Sequence, residues 1–540
     1  MSFFRRGLWM IALLTALLQG CALPPLEGRS ESTAVPAAET ADTPLGRVLA
    51  PQGTAHPGET GILPLPDALD SFAARVLLVR AAQRTLDVQY YIWRDDITGN
   101  LLLDALREAA ARGVRVRLLL DDNGVAMDAK LLALDRLPGV EVRLFNPFSI
   151  RQPKALGFIT HFDRANRRMH NKALIADSQA AIMGGRNVGD EYFGATDGVL
   201  FADLDVLASG AVLPELAADF DRYWASGSSY PIDRIVRADT ASSAEPAQNP
   251  AQDPRAALYL QALRESRFIP DLLAGAHMPQ WAKVQMVSDD PAKGLGQAEP
   301  QHLLTHQLAE VLEQPPQRTL DLVSPYFVPT DAGVAVFSRL AARGVRVRIL
   351  TNALEATDVT AVHSGYARHR KALLRAGVQL FEMRHRASGP TASAARKGGG
   401  WGLFGSGSGG SSGAGGSGGS GGGAGVFGSS GSSLHAKTFA IDGSQVFVGS
   451  MNFDPRSARL NTELGFIIAS PVLAQAAHDA FDKTIPGIAY SVQLDPQGDL
   501  VWVERLESGG ELRQTSEPGA TLAMRAWVGL LSMLPIEWLL

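Results

Sequence analysis

Apolar and polar residues alternate along residues 65–120 with two different periods, which predict helices and strands in turn. The stretch RVLLVRAAQRTLDVQYYIW has apolar residues at helical spacing, followed by a strand at residues 86–93. The next stretch, LLLDALREAAARGVRVRLLLDD, predicts an amphipathic helix that stops at Gly113 and a strand at residues 114–120. Strands that alternate with helices in this way predict an α/β fold with a largely parallel sheet.

The second half of the chain repeats the pattern of the first half in the same order. The sequence AARGVRVRLLL at 110–120 returns as AARGVRVRIL at 341–350. The sequence VQYYIWRD at 88–95 has a counterpart in LVSPYFVPTD at 322–331. We interpret the chain as an internal duplication, with two similar α/β/α domains that pack about a pseudo-twofold axis.

Changes in composition mark the segments between and around the two domains. Residues 22–61 are rich in Pro, Ala, Thr, Glu and Gly, and residues 398–433 are mostly Gly and Ser, so neither is expected to bury a core. The Gly/Ser tract is either a tolerated insertion or a lid over the site. The predicted segments are a signal peptide at 1–21, a flexible tether at 22–61, an N-terminal domain at 62–228, a linker at 229–256, a C-terminal domain at 257–490 that contains the insertion, and a tail at 491–540.

The composition of the 540 residues, 46% hydrophobic and 19% charged, is that of a globular protein. The net charge of -5 argues against a dedicated nucleic-acid binder, which usually carries a basic surplus. The single cysteine, Cys21, excludes an intramolecular disulfide.

The N-terminal sequence MSFFRRGLWMIALLTALLQGC has a short basic head and a short apolar core, as a secretory signal does. The core is shorter than the roughly 20 apolar residues that span a bilayer. Residues 18–21 resemble a bacterial lipobox, in which the cysteine becomes lipid-modified; the alternative is an uncleaved membrane anchor. We therefore predict a lipoprotein of the bacterial cell envelope, anchored through Cys21, with the inner membrane favoured.

Two stretches share one arrangement of polar residues at identical spacing. The first, HNKALIADSQAAIMGGRN, runs from 170 to 187, and the second, HAKTFAIDGSQVFVGSMN, runs from 435 to 452. Because both copies occupy matched places in a duplicated domain, we interpret them as functional. The shared residues are His170, Lys172, Asp177 and Asn187 in the first stretch and His435, Lys437, Asp442 and Asn452 in the second.

Each of these stretches is predicted to form a β-hairpin around its aspartate. In the second stretch, a two-residue turn after Asp442 places His435 opposite Asn452 and Lys437 opposite Ser450. The first stretch gives the same arrangement, so each hairpin presents a histidine, a lysine and an amide on one face. The aspartates lie at the turns, away from that face, and are interpreted as structural.

A histidine beside a lysine and an asparagine suits chemistry at phosphorus. The imidazole can attack phosphorus or move a proton near neutral pH. The lysine and the asparagine can stabilise the charged oxygens of the transition state. Two such hairpins across a pseudo-twofold axis would place histidines on opposite sides of one phosphate, as an in-line displacement requires.

Carboxylates that orient the histidines are expected in each half. Glu463 follows His435 by 28 residues and Asp203 follows His170 by 33, which makes both candidates, with Asp205 as a weaker one. The sequence has no HExxH, CxxC or carboxylate cluster at metal-ligand spacing, so neither a metal nor another cofactor is predicted.

The two HxKxxxxD motifs, followed by GGRN and GSMN, resemble those of the phospholipase D superfamily over about residues 65–490. Six segments are similar to bacterial cardiolipin synthases, especially the C type: RRMHNKALIAD, GGRNVGDEYFG, VSPYFVPT, SLHAKTFAID, NFDPRSARLNTELGF and LPIEWLL. The resemblance implies an active site at the domain junction and phosphatidyl transfer through a phosphohistidine. The catalytic residues that it implies are His170, Lys172, Asn187, His435, Lys437, Asn452, Glu463 and Asp203.

The family's usual assignment favours His170 as the nucleophile and His435 as the general acid and base. Two features depart from the family pattern. The Gly/Ser tract before His435 is foreign to it, and the first motif has Gly185 where the second has Ser450. Neither departure removes a catalytic group.

The membrane tether and the C-terminal sequence TLAMRAWVGLLSMLPIEWLL indicate a lipid substrate. The tryptophans Trp527 and Trp538 are typical of a helix at a bilayer interface; the alternative is a helix docked on the protein core. The leading prediction is a cardiolipin synthase that transfers a phosphatidyl group from phosphatidylglycerol or phosphatidylethanolamine to phosphatidylglycerol. The alternatives are a hydrolytic phospholipase D, a phosphodiesterase nuclease and an envelope scaffold with an inactive site. An accessory protein is a further candidate partner, and no nucleic acid is expected.

Overall fold

The computed structural model describes residues 23–151, 153–194, 200–237, 254–266, 271–272, 279–311, 315–385, 432–506 and 508–540. The predicted signal peptide with Cys21 lies outside these residues, as do most of the predicted linker and of the Gly/Ser insertion. Within the described part of the chain, no helix is both long enough and apolar enough to cross a membrane.

Strands in the described residues form two large sheets and one small one. They are β1 Thr60–Leu65, β2 Thr85–Trp93, β3 Arg115–Val125, β4 Val140–Phe145, β5 Ala173–Ala176, β6 Ala180–Gly184, β7 Leu200–Ala202, β8 Asp205–Gly210, β9 Ser229–Pro231, β10 Gln280–Ala282, β11 Val284–Ser288, β12 Thr319–Val323, β13 Arg346–Asn352, β14 Gln379–Met383, β15 Ser432–Leu434, β16 Thr438–Ile441, β17 Gln445–Gly449, β18 Leu464–Ile468, β19 Ala489–Leu494, β20 Leu500–Arg505 and β21 Glu511–Gln514.

The first sheet has the strand order β10-β1-β8-β6-β5-β2-β3-β4-β9. Strands β2, β3 and β4 are parallel, and β5 and β6 form the first motif hairpin beside them. The prediction of a largely parallel sheet is wrong, because every other neighbouring pair in this sheet is antiparallel: the motif hairpin and the strands beyond it, β8, β1 and β10, add antiparallel partners on one side, and β9 adds one on the other. Leu118, Leu119 and Leu120 of β3 are all fully buried, which explains the continuous apolar run in the sequence. Both faces of the strand are covered: Leu118 and Leu120 pack with helices of the first half, and Leu119 packs in a cluster that contains the helix Leu213–Ala225 and residues of the second half.

The second sheet repeats this plan with the order β11-β18-β17-β16-β12-β13-β14-β19-β20-β21. Strands β12, β13 and β14 are parallel, and β16 and β17 form the second motif hairpin beside them. The predicted α/β class therefore describes this structure, and the two large sheets share one strand plan around their motif hairpins.

The α-helices cover the sheets and close the ends of the strands. Those in the described residues are Pro44–Ala55, Ala68–Ala81, Ile97–Ala111, Asp128–Asp135, Gly157–Thr160, Phe162–Ala165, Asp190–Phe193, Leu213–Ala225, Pro254–Glu265, Leu304–Val311, Thr330–Ala342, Thr360–Ala367, Arg370–Arg375, Pro455–Arg459, Pro471–Asp479, Ile485–Ile488 and Leu522–Ser532.

The two halves share one hydrophobic core rather than touching at an edge. Ile175 and Phe220 of the first half pack in one buried cluster with Val446 and Phe466 of the second. The small sheet also crosses the junction, because β7 of the first half pairs in parallel with β15 of the second. Both contacts fix the relative position of the two motif hairpins.

The structure differs from the prediction of a flexible tether at 22–61. The helix Pro44–Ala55 begins at Thr43, whose side chain accepts a hydrogen bond from the N–H of Gly46. Leu45 and Leu49, four residues apart, lie on its inner face and join the core of the first half. The composition of residues 22–61 does not reveal this helix, because its apolar residues are few. Only their spacing indicates a buried face.

The predicted domain boundaries also differ from the observed packing. Strand β9, placed in the linker at 229–256, pairs with β4 in the first sheet. The helix Pro254–Glu265, at the predicted start of the second domain, packs on the first half, where Tyr259 lies 5.3 Å from Phe72 between ring centroids. Strands β19, β20 and β21, mostly in the predicted tail, extend the second sheet. The contacts of β9 with β4, of Tyr259 with Phe72 and of β19 with β14 are long-range, so a change in composition does not mark them.

Candidate active site

The motif hairpins have a three-residue turn, and the predicted two-residue turn is wrong. Ala176 pairs with Ala180, and Ile441 pairs with Gln445, so the aspartate is the first residue of each turn. Asp177 has φ 51° and Asp442 has φ 54°, the left-handed conformation that Asp tolerates in turns. The register is therefore shifted by one residue, and Lys437 lies opposite Gly449, whose N–H points to its carbonyl oxygen.

The motif aspartates bind backbone rather than substrate. Asp177 accepts hydrogen bonds from the N–H groups of the three residues at the start of β2, and Asp442 does the same at the start of β12. The bonds are from Gln83 at 3.0 Å, Arg84 at 2.7 Å and Thr85 at 3.0 Å, and from Gln317 at 2.9 Å, Arg318 at 2.7 Å and Thr319 at 2.8 Å. Each aspartate thus ties its hairpin to the parallel part of its own sheet.

The two motif histidines take their carboxylate partners from opposite halves of the chain. Nδ1 of His170 lies 2.8 Å from Oε2 of Glu463, and Nδ1 of His435 lies 2.5 Å from Oδ2 of Asp203. All four side chains are buried. The structure therefore brings together both predicted carboxylates and both histidines, but each carboxylate serves the histidine of the other half.

Backbone pairing across the junction produces this exchange. The N–H of His435 donates to the carbonyl of Ala202 at 2.8 Å, and the N–H of His170 donates to the carbonyl of Thr462 at 2.9 Å. In both cases the residue after the accepting carbonyl is the orienting carboxylate. The weaker candidate, Asp205, has a different role, because it binds Arg75 at 2.9 Å and Arg186 at 3.0 Å inside the first half.

The motif lysines are buried next to the motif histidines of their own hairpins. Lys172 donates to the carbonyl of His170 at 2.5 Å, and Lys437 lies 3.0 Å from Nδ1 of His435. Burial lowers the pKa of Lys437 to about 8, against the opposing effect of nearby carboxylates. Burial also lowers the pKa of Lys172 well below its usual value.

Both histidines are held in the neutral form. Burial, followed by the charge of Lys437, lowers the pKa of His435 to about 4, although Asp203 acts in the opposite direction. Burial and the charges of Lys172 and Lys437 lower the pKa of His170 well below its usual value. A neutral imidazole that donates its Nδ1–H to a carboxylate presents the lone pair of Nε2, which is the form needed for attack or proton transfer.

The two orienting carboxylates differ in charge. Burial raises the pKa of Glu463 to about 7, and the charge of Lys172 offsets only part of this effect. For Asp203, burial acts in the same direction but is outweighed by His435 and Lys437, which hold its pKa well below its usual range. Asp203 is therefore ionised at neutral pH, whereas Glu463 is close to its midpoint.

The residue that follows the second strand of each motif hairpin, Gly185 after β6 and Ser450 after β17, lies against the orienting carboxylate of its own half. Ser450 donates a hydrogen bond to Oε2 of Glu463 at 2.5 Å. A Cβ at the equivalent Gly185 would lie 2.1 Å from Oδ1 of Asp203, so glycine is required there. This contact explains the first motif's departure from the family pattern, and sequence reasoning did not identify Ser450 as a site residue.

The motif asparagines have different partners. Asn187 accepts a hydrogen bond from the N–H of Ile92 at 3.2 Å and donates to the hydroxyl of Tyr192 at 3.0 Å. The buried amide oxygen of Asn452 has no hydrogen-bond partner among the described residues. The amide oxygen of Asn452 is therefore unpaired, whereas both amide groups of Asn187 are held by its own half.

Two tyrosine rings flank the histidines and were not predicted as site residues. The ring of Tyr91 lies 5.0 Å from that of His170, and the ring of Tyr192 lies 5.2 Å from that of His435, both edge-on. The quoted segments VQYYIWRD and GGRNVGDEYFG contain these tyrosines, but their spacing carries no sign of the contact. Within the described residues, no cluster of three or more His, Cys, Asp or Glu side chains is arranged to hold a metal ion.

The chain matches the family model described as cardiolipin synthase, PLD-like domain, over residues 77–224, 310–393 and 423–485. The unmatched residues between the last two segments fall mostly within the predicted Gly/Ser insertion.

Relatives of known sequence and structure resemble this chain over most of its length. It is 45% identical over 500 residues to cardiolipin synthase C of Escherichia coli (strain K12), which covers 92% of this chain and 99% of that relative. It is 24% identical over 422 residues to a cardiolipin synthase of Clostridium perfringens (strain SM101 / Type A), which covers 78% of this chain and 69% of that relative. The crystal structure of phosphatidylserine synthase from Haemophilus influenzae Rd KW20 has a similar fold, with a TM-score of 0.54, 12% identity, and coverage of 91% of this chain and 99% of that one. The predicted fold class is confirmed.

Proposed function

Because this chain belongs to the cardiolipin synthase family with phospholipase D-like domains, we propose that it transfers a phosphatidyl group from a donor phospholipid to phosphatidylglycerol. The observation that carries the proposal is the pair of buried motif histidines, each oriented by a carboxylate of the other half. The 45% identity to cardiolipin synthase C supports a phosphatidyltransferase of this type. The donor is phosphatidylglycerol or phosphatidylethanolamine.

In the first half-reaction, Nε2 of His170 attacks the donor phosphorus. A phosphorus–nitrogen bond forms, the bond from phosphorus to the headgroup oxygen breaks, and His435 gives its proton to the leaving alcohol. The lysines that depress the pKa of His435 are the same charges that an incoming phosphodiester anion neutralises. Substrate binding therefore favours the protonated His435 that this step needs.

In the second half-reaction, the glycerol hydroxyl of phosphatidylglycerol replaces the first alcohol. His435 removes the proton from this hydroxyl, whose oxygen attacks phosphorus as the bond to Nε2 of His170 breaks. The non-bridging oxygens are stabilised in both steps by Lys172, Lys437 and Asn452. Asn187 lies in the same site and is held by its own half. The products are cardiolipin and free His170.

The unequal charges of the two carboxylates support the division of roles. The ionised Asp203 stabilises an imidazolium at His435, which is what a general acid and base requires. Glu463, near its midpoint at neutral pH and shared with Ser450, does less to favour a charged His170. His170 is thereby kept neutral, as a nucleophile must be.

We also propose that the helix Leu522–Ser532 contacts the membrane. The inner side of this helix packs on the protein, with Val528 buried. Its outward side is apolar: Leu522 is 79% exposed, Trp527 48% and Leu530 50%, and Met533 just beyond the helix is 78% exposed. Such a face suits the headgroup boundary of a bilayer. Lipidation of Cys21 in a bacterial envelope protein would add a second anchor.

The test is incubation of the purified protein with headgroup- and acyl-labelled phospholipids in mixed micelles, followed by mass analysis of the lipids. Cardiolipin formed by the protein, and absent with His170→Ala, is the expected result, and the released glycerol or ethanolamine identifies the donor. Phosphatidic acid as the sole product, with phosphatidylglycerol in excess, would show a hydrolase instead. Turnover of a nucleic acid substrate without lipid turnover would exclude the lipid transferase.

A further inference from the structure

One residue near the carboxyl end of a parallel strand in each half holds the backbone just before a motif histidine. Asp121 of β3 and Asn352 of β13 are 231 positions apart and occupy equivalent places in the two copies of the repeat. Both are buried, with 0% and 2% of their surface exposed. Neither belongs to the HxKxxxxD motif.

In the first half, the carboxylate of Asp121 holds the residue before His170. Its Oδ2 accepts a hydrogen bond from the N–H of Met169 at 2.7 Å, and its Oδ1 accepts one from Nη1 of Arg168 at 3.2 Å. The N–H of Asn123 also donates to Oδ1, at 2.9 Å. These bonds fix both the backbone and the side chain of the segment that leads into the first motif.

In the second half, the amide of Asn352 holds the residue before His435. Its Oδ1 accepts a hydrogen bond from the N–H of Leu434 at 2.9 Å, and its Nδ2 donates to the carbonyl of Leu434 at 3.0 Å. The amide therefore binds both backbone polar groups of one residue, Leu434. The two halves therefore hold the residue before the motif histidine with different side chains.

The residues held in this way are those that cross to the other half. Met169 forms a parallel bridge with Thr462, next to Glu463, and Leu434 pairs with Ala202, next to Asp203. A shift of Met169 or Leu434 would move a histidine relative to the carboxylate that orients it. Displacements of about 1 Å in such groups can reduce rates by about 100-fold.

We propose that Asp121 and Asn352 are positioning residues, which set the His170–Glu463 and His435–Asp203 contacts from outside the motifs. Each acts through the backbone of the residue before its histidine and touches no substrate. The effect on catalysis rests on the proposed function, whereas the effect on the histidine contacts does not.

The first test is kinetic and uses Asp121→Ala and Asn352→Ala. We expect kcat to fall at least about tenfold in each, with KM within about twofold of the wild type, because substrate contacts remain. Asp87→Asn is the matched control: Asp87 is another buried carboxylate, bound to Arg117 at 2.6 Å in the same sheet. A kcat within twofold of the wild type in Asp121→Ala, or an equal loss in Asp87→Asn, would overturn the proposal.

A second test distinguishes a failed positioning role from a failed function. A proton shared between histidine Nδ1 and a carboxylate gives a low-field proton NMR signal, assigned here with His170→Gln and His435→Gln. We expect the His170 signal to shift or disappear in Asp121→Ala while the His435 signal stays, and the reverse in Asn352→Ala. Unchanged signals would refute positioning, whatever the reaction. The expected signal changes in a protein without lipid transfer would refute only the proposed function.

A variant that copies the second half into the first checks the mechanism of positioning. In Asp121→Asn the new amide hydrogens face two donors, Arg168 and the N–H of Asn123, whereas at the equivalent place the hydroxyl of Ser433 donates to the amide oxygen of Asn352. The double variant Asp121→Asn, Arg168→Ser removes one of these two donor–donor contacts and should therefore recover part of the kcat that Asp121→Asn loses. No recovery, with both proteins folded by circular dichroism, would contradict the assigned contact.

Discussion

The carboxylate of Glu463 lies 2.8 Å from Nδ1 of His170, a residue 293 positions earlier in the chain. The reciprocal pair, His435 and Asp203, joins the halves at 2.5 Å in the opposite direction. Each half therefore contains one histidine and one carboxylate that cannot work together within that half. Only the assembled pair of halves has two oriented histidines.

Removal of charge at the two carboxylates should have unequal effects at pH 7. In Asp203→Asn we expect kcat to fall by about 1,000-fold, because an amide no longer stabilises the imidazolium of His435. In Glu463→Gln we expect a loss of about tenfold, because Glu463, with a pKa of about 7, carries only part of its charge there. Cardiolipin formation from labelled phospholipids measures both. An equal loss in the two variants would contradict the different charges assigned to them.

The glycine of the first motif should not tolerate the serine of the second. A side chain at position 185 would lie 2.1 Å from Oδ1 of Asp203, so Gly185→Ser should displace Asp203 from His435. We expect kcat to fall by about 100-fold while the protein remains folded. The reciprocal change, Ser450→Gly, removes a hydrogen bond without a clash and should cost less. A Gly185→Ser enzyme more active than Ser450→Gly would exclude this steric explanation.

Stability should depend on the ionisation of Glu463. Its pKa in the folded protein is raised to about 7, so its contribution to stability is fully present below its ordinary value of 4.5 and is lost as pH rises through 7. Glu463→Gln does not titrate. From pH 5 to pH 8, the free energy of unfolding of the wild type should therefore fall by roughly 1–3 kcal/mol relative to that of Glu463→Gln. Urea unfolding at the two pH values measures this difference, and no relative change would show that the pKa is not raised.

The motif aspartates should matter for stability in proportion to their burial. Asp177 is fully buried, so Asp177→Ala leaves three N–H groups at the start of β2 without their acceptor and should cost about 2–4 kcal/mol. Asp442→Ala should cost less, because Asp442 is more exposed and water can replace the carboxylate. Chemical unfolding of the two variants gives the comparison. A larger loss in Asp442→Ala would mean that burial does not set the cost.

Charge on the outward face of the C-terminal helix should weaken binding to lipid vesicles. For Trp527→Glu we expect the partition onto vesicles of phosphatidylglycerol and phosphatidylethanolamine to fall by about tenfold or more, because a charged group replaces an indole that the proposed membrane contact would bury in the bilayer interface. Leu512→Glu is the matched control, since Leu512 on β21 is 46% exposed and Trp527 is 48% exposed. Vesicle flotation of the full-length protein measures both. Equal partition of Trp527→Glu and the wild type would remove this helix from the proposed contact.

Much of the fold was predictable because its signals are local. The apolar periods at 86–93 and 114–120 correspond to β2 and β3, and the repeat at 341–350 corresponds to β13. The helix within residues 22–61 was not predictable from composition. Its helix is ordered by Leu45 and Leu49, which are buried only because the first sheet lies beneath them.

For the candidate site, the spacing of the two motifs pointed to the candidate histidines, lysines and asparagines, because each set belongs to one short stretch of the chain. The motifs also pointed to Glu463 and Asp203, but pairwise contacts between halves leave no periodic trace in a sequence. The exchange of carboxylates, the need for Gly185 beside Asp203 and the hold of Asp121 on Met169 arise from the packing of two sheets on each other. Local spacing defines the chemical groups, whereas only the folded arrangement of segments more than 200 residues apart determines which groups meet.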